Sequence, residues 1–366
     1  MVTRRNCIRR LSLWAGTTPL WSQAGADSKL SNMLNVFDLQ KVCEQKLPKE
    51  AYDYVEGGAW DEWTIKRNRD AFGRITFRPR VLAGVDDIDT STELFGVKLA
   101  SPILIAPTGA HRRLHEQGEL ATRRGAAAAG TLLAISTGSS MTLDQIAAAS
   151  AAPWIFQLYA IANRENTWNR ARTAIRLGAK AILFTVDTPY LGSMERMRRN
   201  SLASGTQAGG VTKQFLAKLD WSFVRELAAD AGVPVYVKGV LSPQAAMLAV
   251  EHGAAGIVIS NHGGRVLDGT PSTIEVLPEI VNAVGSRTVI LIDSGFRRGT
   301  DVLKAVALGA KGVFVGRPAL WGLGAFGEDG VRHVMELLNR ELALAMGLAG
   351  YASLASIRRE LVHLDR

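Results

Sequence analysis

The chain has 366 residues, 47% of them hydrophobic and 21% charged, with a formal net charge of +9 at pH 7. This suffices for one large α/β domain or two small ones, and no run of Lys and Arg or basic stripe interleaved with aromatics points to nucleic acid. Two cysteines, Cys7 and Cys43, are too few for a metal cluster or a disulfide framework, and no apolar run reaches the roughly 18 residues of a membrane-spanning helix.

The N-terminus has the composition of a targeting segment. Residues 1–26 contain four arginines and no acidic residue, which leaves +5 for the rest of the chain. A basic start (residues 3–9) precedes a mildly apolar stretch (11–21) and then the small residues 24–26, an order that resembles a twin-arginine export signal. The sequence therefore predicts an exported, periplasmic protein whose residues 1–30 lie outside the folded domain. The alternative is a disordered basic tail on a cytoplasmic protein.

The next segment, residues 36–79, has a helical pattern. Asp38 is a candidate cap for the first helix, and Pro48 is placed to open a second helix that carries Tyr52 and Tyr54. We expect these helices to form a lid ahead of the main domain.

Eight short apolar runs follow, most of them separated by stretches long enough for a helix. Each run is β-branched or aliphatic without polar alternation, which is typical of buried parallel strands. The runs are residues 103–107, 132–136, 154–159, 181–187, 233–238, 256–260, 289–293 and 312–316. Eight such units predict a closed (β/α)8 barrel over residues 31–366. An open doubly wound sheet is the competitor, but no Gly-rich fingerprint follows the first run.

Two further segments need an interpretation. The Gly-x-Gly-x-x-Gly string at Gly322, Gly324 and Gly327 does not follow a strand, so we interpret it as small residues in a helix or turn. Residues 188–213 are rich in Ser, Gly, Ala and Arg, and they are predicted to form a mobile loop over the active site.

Polar residues stand at the ends of nearly all the predicted strands. Because the carboxyl ends of barrel strands face one pocket, we expect these side chains to share a site. They are Thr108, Ser136, Gln157, Tyr159, Thr185, Asp187, Lys238, His262, Arg265, Asp293, Arg297, Gly316 and Arg317.

The last two strand ends predict a phosphate site. Gly295 and Gly316 lie in turns that can present backbone N–H groups, and Arg297 and Arg317 add two planar guanidinium groups. Barrels commonly bind phosphate after strands seven and eight.

His262 differs from the other histidines by its position after a buried strand and before two glycines. Asp187 is placed to hold its imidazole, and Arg265 to bind a carboxylate. Lys238, at the end of a buried strand, needs a carboxylate or an electron-rich cofactor as partner; a Schiff-base lysine is a weaker alternative. The remaining histidines are predicted to be packed or surface residues: His111, His115, His252, His333 and His363.

Together these motifs resemble the FMN-dependent family that oxidises 2-hydroxy acids and includes glycolate oxidase, lactate oxidases and mandelate dehydrogenase. The resemblance runs from about residue 36 to the end and includes Lys-Leu-Pro-Lys at 46–49, Ala-Pro-Thr at 106–108, Gln-Leu-Tyr at 157–159, Thr-Val-Asp-Thr-Pro at 185–189, Ser-Asn-His-Gly-Gly-Arg at 260–265, Arg-Arg-Gly-Thr-Asp at 297–301 and Gly-Arg-Pro at 316–318.

The resemblance implies FMN as cofactor and an (S)-2-hydroxy acid as substrate. It assigns the flavin ring and ribityl chain to Pro107, Thr108, Ser136, Gln157 and Thr185, and the phosphate to Asp293, Gly295, Arg297, Gly316 and Arg317. Lys238 would stabilise negative charge on the reduced flavin. Tyr54 and Arg265 would bind the substrate carboxylate and Tyr159 the substrate oxygen, while His262, paired with Asp187, takes a proton as two electrons pass to flavin N5. The resemblance also implies a homo-oligomer, by analogy a tetramer, and no metal.

Two residues depart from the family pattern. Met194 stands where the family has the arginine of a Gly-x-Arg-Glu pattern, with Arg196 as a candidate substitute, and Gly138 stands where glycolate oxidases carry a tryptophan. The glycine leaves room for a larger substrate side chain. Two rival functions stay open here: a different FMN barrel reaction such as isomerisation of a phosphorylated substrate, and flavin binding without catalysis. The electron acceptor, oxygen or another, is also open.

Overall fold

The computed structural model describes residues 30–160, 163–203 and 219–365, with the side chains of 201–203 left out. Residues Leu34–Arg366 form one compact unit. The predicted export segment, residues 1–30, lies almost wholly outside the described residues.

Three helices open the compact unit: α1 (Val36–Lys46), α2 (Lys49–Glu56) and α3 (Trp63–Gly73). Pro48 stands at the N-cap of α2, as predicted. The prediction that Asp38 caps α1 is wrong, because the side chain of Asn35 accepts the N–H of Phe37 and Asp38 lies inside the first turn. That these helices act as a lid stays a prediction.

Residues 75–79 are not helical as the pattern predicted. They contain β1 (Ile75–Phe77), which pairs antiparallel with the last strand, β12 (Val362–Leu364). A second small sheet, the hairpin of β2 (Thr92–Leu94) and β3 (Val97–Leu99), contributes Leu94 and Leu99 to the core inside the barrel. Neither pairing was predicted.

The eight predicted strands are confirmed. They are β4 (Ile103–Ile105), β5 (Ala134–Ser136), β6 (Ile155–Leu158), β7 (Ile182–Thr185), β8 (Val235–Val240), β9 (Gly256–Ile259), β10 (Val289–Ile292) and β11 (Gly312–Val315). They pair in parallel in one continuous order, with β11 beside β4, and a bridge between Ile105 and Leu133 closes the ring. The fold is therefore a (β/α)8 barrel.

Nine helices follow the strands in the part of the chain that the structure describes. They are α4 (Gly118–Ala128), α5 (Leu143–Ala148), α6 (Arg164–Arg176), α7 (Glu195–Ala203), α8 (Trp221–Asp230), α9 (Pro243–Glu251), α10 (Thr273–Val284), α11 (Gly299–Ala307) and α12 (Arg317–Ala349). None of the helices in residues 30–160, 163–203 and 219–365 combines the length and apolar character needed to cross a membrane.

The glycine string predicted to be small residues in a helix lies in α12, and this prediction is confirmed. A Cβ on Gly322 would clash with the carbonyl group of Gly330, so the chain needs glycine there for close packing. The helix is interrupted at Phe326 and Gly327. The predicted loop 188–213 is partly wrong, because it contains α7; residues 204–213 lie outside the described part.

The barrel interior is filled by apolar side chains, among them Leu104, Leu183, Val258, Leu291 and Phe314, each at most 1% exposed. Full burial of such a side chain stabilises the fold by roughly 1.5–3 kcal/mol. Because the interior has no room for a ligand, a site must form beyond the carboxyl ends of the strands.

Candidate active site

One cavity of about 340 Å³ lies at the carboxyl ends of the barrel strands. The predicted site residues in its wall are Tyr54, Pro107, Thr108, Ser136, Tyr159, Lys238, His262, Arg265, Asp293, Gly295, Arg297, Gly316 and Arg317. The other predicted residues, Gln157, Thr185 and Asp187, lie directly behind this wall. The sequence therefore predicted a set of residues that the fold brings together from distant parts of the chain.

A buried hydrogen-bonded chain runs behind the wall. Ser136 Oγ donates to Gln157 Oε1 at 3.1 Å, and Gln157 Nε2 donates to Thr185 Oγ1 at 3.0 Å. All three side chains are buried. These hydrogen bonds link the three side chains and restrict how each can turn.

His262 lies between Asp187 and Tyr159. Its Nδ1 is 3.0 Å from Asp187 Oδ1, and its Nε2 is 3.3 Å from the Tyr159 hydroxyl. The carboxylate accepts the proton on Nδ1, so Nε2 is the nitrogen left to accept a proton. Burial alone would raise the pKa of the Asp187 carboxyl, but the neighbouring imidazole and Lys238 hold that pKa below its ordinary value.

The backbone around His262 is fixed by residues that the sequence reasoning missed. His262 has a φ of 57°, a left-handed conformation that non-glycine residues rarely adopt. Ser260 Oγ accepts its N–H at 3.0 Å, and Asn261 forms a reciprocal pair with Asn68 of α3, with amide distances of 2.9 and 2.7 Å. The Ser-Asn-His-Gly-Gly-Arg motif contained Ser260 and Asn261, but nothing in the sequence pointed to Asn68.

Lys238 is paired with a carboxylate, as expected for a buried lysine. Its Nζ lies 3.1 Å from Asp293 Oδ2 and donates to Ser260 Oγ at 2.8 Å. Burial works to lower the pKa of Lys238, but Asp293 and Asp187 outweigh it and raise the pKa above its ordinary value. The ion pair with Asp293 suits an ammonium ion, whereas Schiff-base chemistry needs the free amine, so the geometry argues against the Schiff-base alternative.

Arg265 and Tyr54 form the outer part of the cavity. The Arg265 guanidinium lies 5.2 Å from the centre of the Tyr54 ring and donates from Nη1 to the carbonyl oxygens of Tyr54 and Gly57, at 2.8 and 3.0 Å. The Tyr54 hydroxyl donates to the carbonyl oxygen of Gly109 at 3.0 Å. Burial lowers the pKa of Arg265. A half-buried guanidinium with no carboxylate partner among the described residues is suited to bind an anion.

Arg297 and Arg317 are two further cations in the cavity wall, and Arg317 lies beside Arg265, since both donate to the carbonyl oxygens of Val55 and Gly57. Burial, and then the positive charge of Arg317, lowers the pKa of Arg297 to about 9. Burial, and then the positive charge of Arg265, lowers the pKa of Arg317 to about 10. Neither forms an ion pair with a carboxylate in the described residues. Arg297 stacks on Trp321 at 4.7 Å, and Arg317 donates to the carbonyl oxygens of Val55 and Gly263. These uncompensated cations fit a cofactor that brings a dianionic phosphate.

The two departures from the family pattern both face the cavity or its entrance. Met194 lines the cavity, whereas Arg196 pairs with Glu62 at 2.5 Å and does not line it, so Arg196 does not replace the missing arginine. A Cβ on Gly138 would meet no atom closer than Ser136 Oγ at 3.6 Å, so there is open space in front of this residue.

Comparison with known proteins identifies the family. Residues 43–364 match the FMN-dependent dehydrogenase family. The chain is 42% identical to glycolate oxidase 1 of Oryza sativa subsp. indica over 92% of this chain and 97% of the relative, and 43% identical to a peroxisomal (S)-2-hydroxy-acid oxidase of Oryza sativa subsp. japonica over 90% and 95%. A solved structure of mandelate oxidase with (S)-2-phenylpropionate has a TM-score of 0.85 at 40% identity, covering 91% of this chain and 99% of that one.

The chain therefore belongs to the FMN-dependent dehydrogenase family. It is an FMN-dependent enzyme that oxidises 2-hydroxy acids to 2-oxo acids. Among the described residues, no group of three or more His, Cys, Asp or Glu side chains is arranged to hold a metal ion.

The prediction of export is wrong. The relatives are plant glycolate oxidases, and one of the similar enzymes is named as peroxisomal, which contradicts a periplasmic assignment through a twin-arginine signal. Paired arginines before a short, weakly apolar stretch are a weak signal for export, because this prediction rested on composition alone.

The uncompensated arginines lead to a prediction for the flavin-free protein. Inorganic phosphate should raise its melting temperature by about 1–3 °C more than sodium chloride of equal ionic strength, because the anion binds only the folded arrangement of Arg297 and Arg317. Differential scanning fluorimetry measures the shift. Arg297→Met should abolish it, whereas Arg287→Met, on the surface, should leave it intact. Equal effects of the two salts on the unsubstituted protein would contradict the phosphate site.

Proposed function

We propose that this enzyme oxidises an (S)-2-hydroxy acid with a bulky apolar side chain, with His262 as the base. The observation that carries this proposal is the hydrogen-bonded line from Asp187 through His262 to Tyr159: His262 and Tyr159 line a cavity that the half-buried Arg265 also lines, and Asp187 stands behind them. This arrangement has one group suited to take a proton and one suited to bind a carboxylate, as oxidation of a 2-hydroxy acid requires.

Cofactor binding is assigned to the inner part of the cavity. Arg297 and Arg317, with Asp293, Gly295 and Gly316 around them, would hold the phosphate of FMN. Pro107, Thr108, Ser136, Gln157 and Thr185 would hold the ring and the ribityl chain. The support for this division is that the first group contains the uncompensated guanidinium pair, while the second contains rigid neutral donors and acceptors. The Lys238 ammonium would stabilise negative charge on the reduced ring.

Substrate binding is assigned to the outer part of the cavity. Arg265 and the Tyr54 hydroxyl would bind the carboxylate, and Tyr159 would hydrogen-bond the substrate oxygen. The contact of the Arg265 guanidinium with the Tyr54 ring supports a joint role, because it holds the two side chains together in the cavity wall.

Oxidation removes two electrons and two protons from the hydroxy acid. FMN, when bound, would supply the acceptor for both electrons and for the proton that leaves with them, and oxygen or another acceptor would reoxidise it. His262 Nε2 takes a proton from the substrate, and the resulting imidazolium is stabilised by Asp187 at 3.0 Å from Nδ1. The alternative of flavin binding without catalysis has no support in this geometry, because both the base and its carboxylate are in place.

Removal of the base tests the mechanism. His262→Ala should retain FMN but slow flavin reduction by at least 10²–10⁴-fold, the contribution typical of a positioned base. Anaerobic mixing with lactate, glycolate, 2-hydroxyoctanoate and mandelate, followed by the flavin absorbance, measures the rate. His252→Ala, which removes a histidine outside the cavity wall, is the matched control and should reduce normally. A His262→Ala protein that bleaches at the unsubstituted rate would show that another group is the base.

The preference for a bulky apolar side chain rests on the lining of the outer cavity. Met194, Leu191 and Val266 are apolar, and Gly138 leaves open space. An apolar substrate group gains roughly 25 cal/mol for each Å² removed from water there, whereas a charged group would lose its hydration without a partner. The similar mandelate oxidase was solved with (S)-2-phenylpropionate, an acid that carries a phenyl group, which agrees with this class.

Filling the space at Gly138 should reverse the preference. Gly138→Trp is expected to lower the kcat/KM for mandelate and 2-hydroxyoctanoate by about tenfold or more while sparing glycolate, because the indole occupies the volume needed by the larger side chains. Gly138→Ala is the control, since its Cβ meets no atom closer than 3.6 Å. Uniform losses for all the acids would mean that the indole disturbs the cofactor instead of the side-chain pocket.

We also propose that the enzyme is a homo-oligomer, a tetramer by resemblance to its family. In support, Val81, Leu82, Leu344 and Leu348 are each at least 64% exposed, and Arg80 N–H donates to Ala349 O, which joins their two segments. An exposed apolar patch of this kind favours burial against another copy. Size-exclusion chromatography with light scattering should give about four times the chain mass, and Leu348→Glu should reduce it. A monomer in the unsubstituted protein would refute the proposal.

A further inference from the structure

Glu56 is a carboxylate near the proposed phosphate site that has no part in the proposed reaction or cofactor contacts. It is the last residue of α2, and it does not line the cavity. Its Oε1 accepts the indole N–H of Trp321 at 2.6 Å, and its Oε2 accepts the side-chain amide of Gln40, on α1, at 3.3 Å. Donors from two other helices therefore hold both oxygens of this side chain.

The hydrogen bond between Trp321 and Glu56 has only one possible direction. An indole N–H can donate but not accept, and an ionised carboxylate can accept but not donate. Trp321 lies on α12 and is 1% exposed, so its N–H needs an acceptor inside the protein. Glu56 supplies that acceptor and thereby fixes the orientation of the indole ring.

The face of this indole ring is in contact with Arg297. The guanidinium carbon of Arg297 lies 4.7 Å from the centre of the Trp321 ring, which is a cation–π contact. Arg297 lines the cavity, whereas Trp321 stands behind it. An effect of Glu56 that passes through the indole would therefore reach a bound ligand through the Arg297 guanidinium.

The negative charge of Glu56 acts in the opposite direction from its hydrogen bond. Burial, and then the positive charge of Arg317, lowers the pKa of Arg297, and the charge of Glu56 works against both. That charge would also repel a phosphate bound at Arg297. A substitution that removes the charge but keeps an acceptor for the indole N–H separates the two effects.

We propose that Glu56 is a positioning residue for the cofactor: it holds the Trp321 indole and thereby holds the Arg297 guanidinium where it meets the phosphate of FMN. The inference rests on the proposed assignment of that phosphate to Arg297. The end of α2 then supports both arginines of the phosphate site, because the carbonyl oxygen of Val55 accepts Arg317 Nε at 2.9 Å. A guanidinium that is already held in place loses less side-chain freedom when the phosphate binds.

Release of flavin tests the proposal. The full-length protein is loaded with FMN or with riboflavin and diluted, and the rise in flavin fluorescence gives the dissociation constant. Riboflavin lacks the phosphate, so a change confined to the phosphate site should affect FMN alone. Glu56→Leu should raise the dissociation constant of FMN about three- to tenfold, the size of one cation–π contact, and should leave that of riboflavin unchanged.

Two further substitutions show how Glu56 acts. Glu56→Gln keeps an oxygen that can accept the indole N–H but removes the charge, so FMN should bind at least as tightly as to the unsubstituted protein. Trp321→Phe removes the N–H from the other side and should give the same selective loss as Glu56→Leu. The double variant should lose no more than the larger single loss, because both changes remove one interaction. Trp321→Phe also replaces Glu56→Leu if the latter does not fold.

Two reference variants complete the experiment. Glu50→Leu, at an exposed position of the same helix, is the matched control and should leave the release of both flavins unchanged. Arg297→Met should weaken FMN and spare riboflavin, because it removes the proposed phosphate contact directly.

The outcomes separate this inference from the proposed function. If Arg297→Met is selective but Glu56→Leu affects both flavins equally or neither, the role of Glu56 is overturned and the proposed function stands. Tighter FMN binding in Glu56→Leu would show that Glu56 acts by its charge alone, and a loss in Glu56→Gln equal to that in Glu56→Leu would also overturn the positioning role. If Arg297→Met does not weaken FMN, the proposed phosphate contact itself is wrong, and this inference with it.

Discussion

The burial of positive charge around one cavity is the constraint on which the site depends. Lys238, Arg265, Arg297 and Arg317 all lie at the carboxyl ends of the barrel strands, and of these only Lys238 has a carboxylate partner within 4 Å in the described residues. Buried charges are costly unless they are paired. The protein alone therefore leaves an excess of positive charge, which the phosphate of the cofactor and the carboxylate of the substrate would neutralise. The same excess of positive charge would therefore favour binding of both the cofactor and the substrate.

The C-terminal end of helix α2 adds backbone carbonyl oxygens to the site. The last carbonyl groups of α2, at residues 54–57, accept hydrogen bonds from Arg265 and Arg317. A helix C-terminus carries partial negative charge, so it stabilises guanidinium groups that lack carboxylates. Through this contact a segment outside the barrel becomes part of the site, and Tyr54 is fixed in the cavity wall at the same time.

The sequence predicted what depends on local pattern and missed what depends on distant contacts. The eight strands were found because continuous apolar runs are specific to buried parallel strands, and the polar residues at their ends share a site because the barrel closes. The carbonyl partners of Arg317 in α2 lie far away along the chain, at a separation of 262 positions for Val55, and left no local signal. The cap of α1 was misplaced because Asn35 and Asp38 are both good capping residues, and only the geometry distinguishes them.

The pairing of β1 with β12 joins a strand that precedes the barrel strands to one that follows them. Ribosomal synthesis at about 5–20 residues per second would leave Ile75–Phe77 without its partner strand for roughly 15–60 s. During that time an unpaired strand edge is open to association with other chains. Completion of this small sheet therefore waits for Val362–Leu364, and loss of only these residues would leave the edge of β1 exposed in a chain whose barrel is otherwise whole.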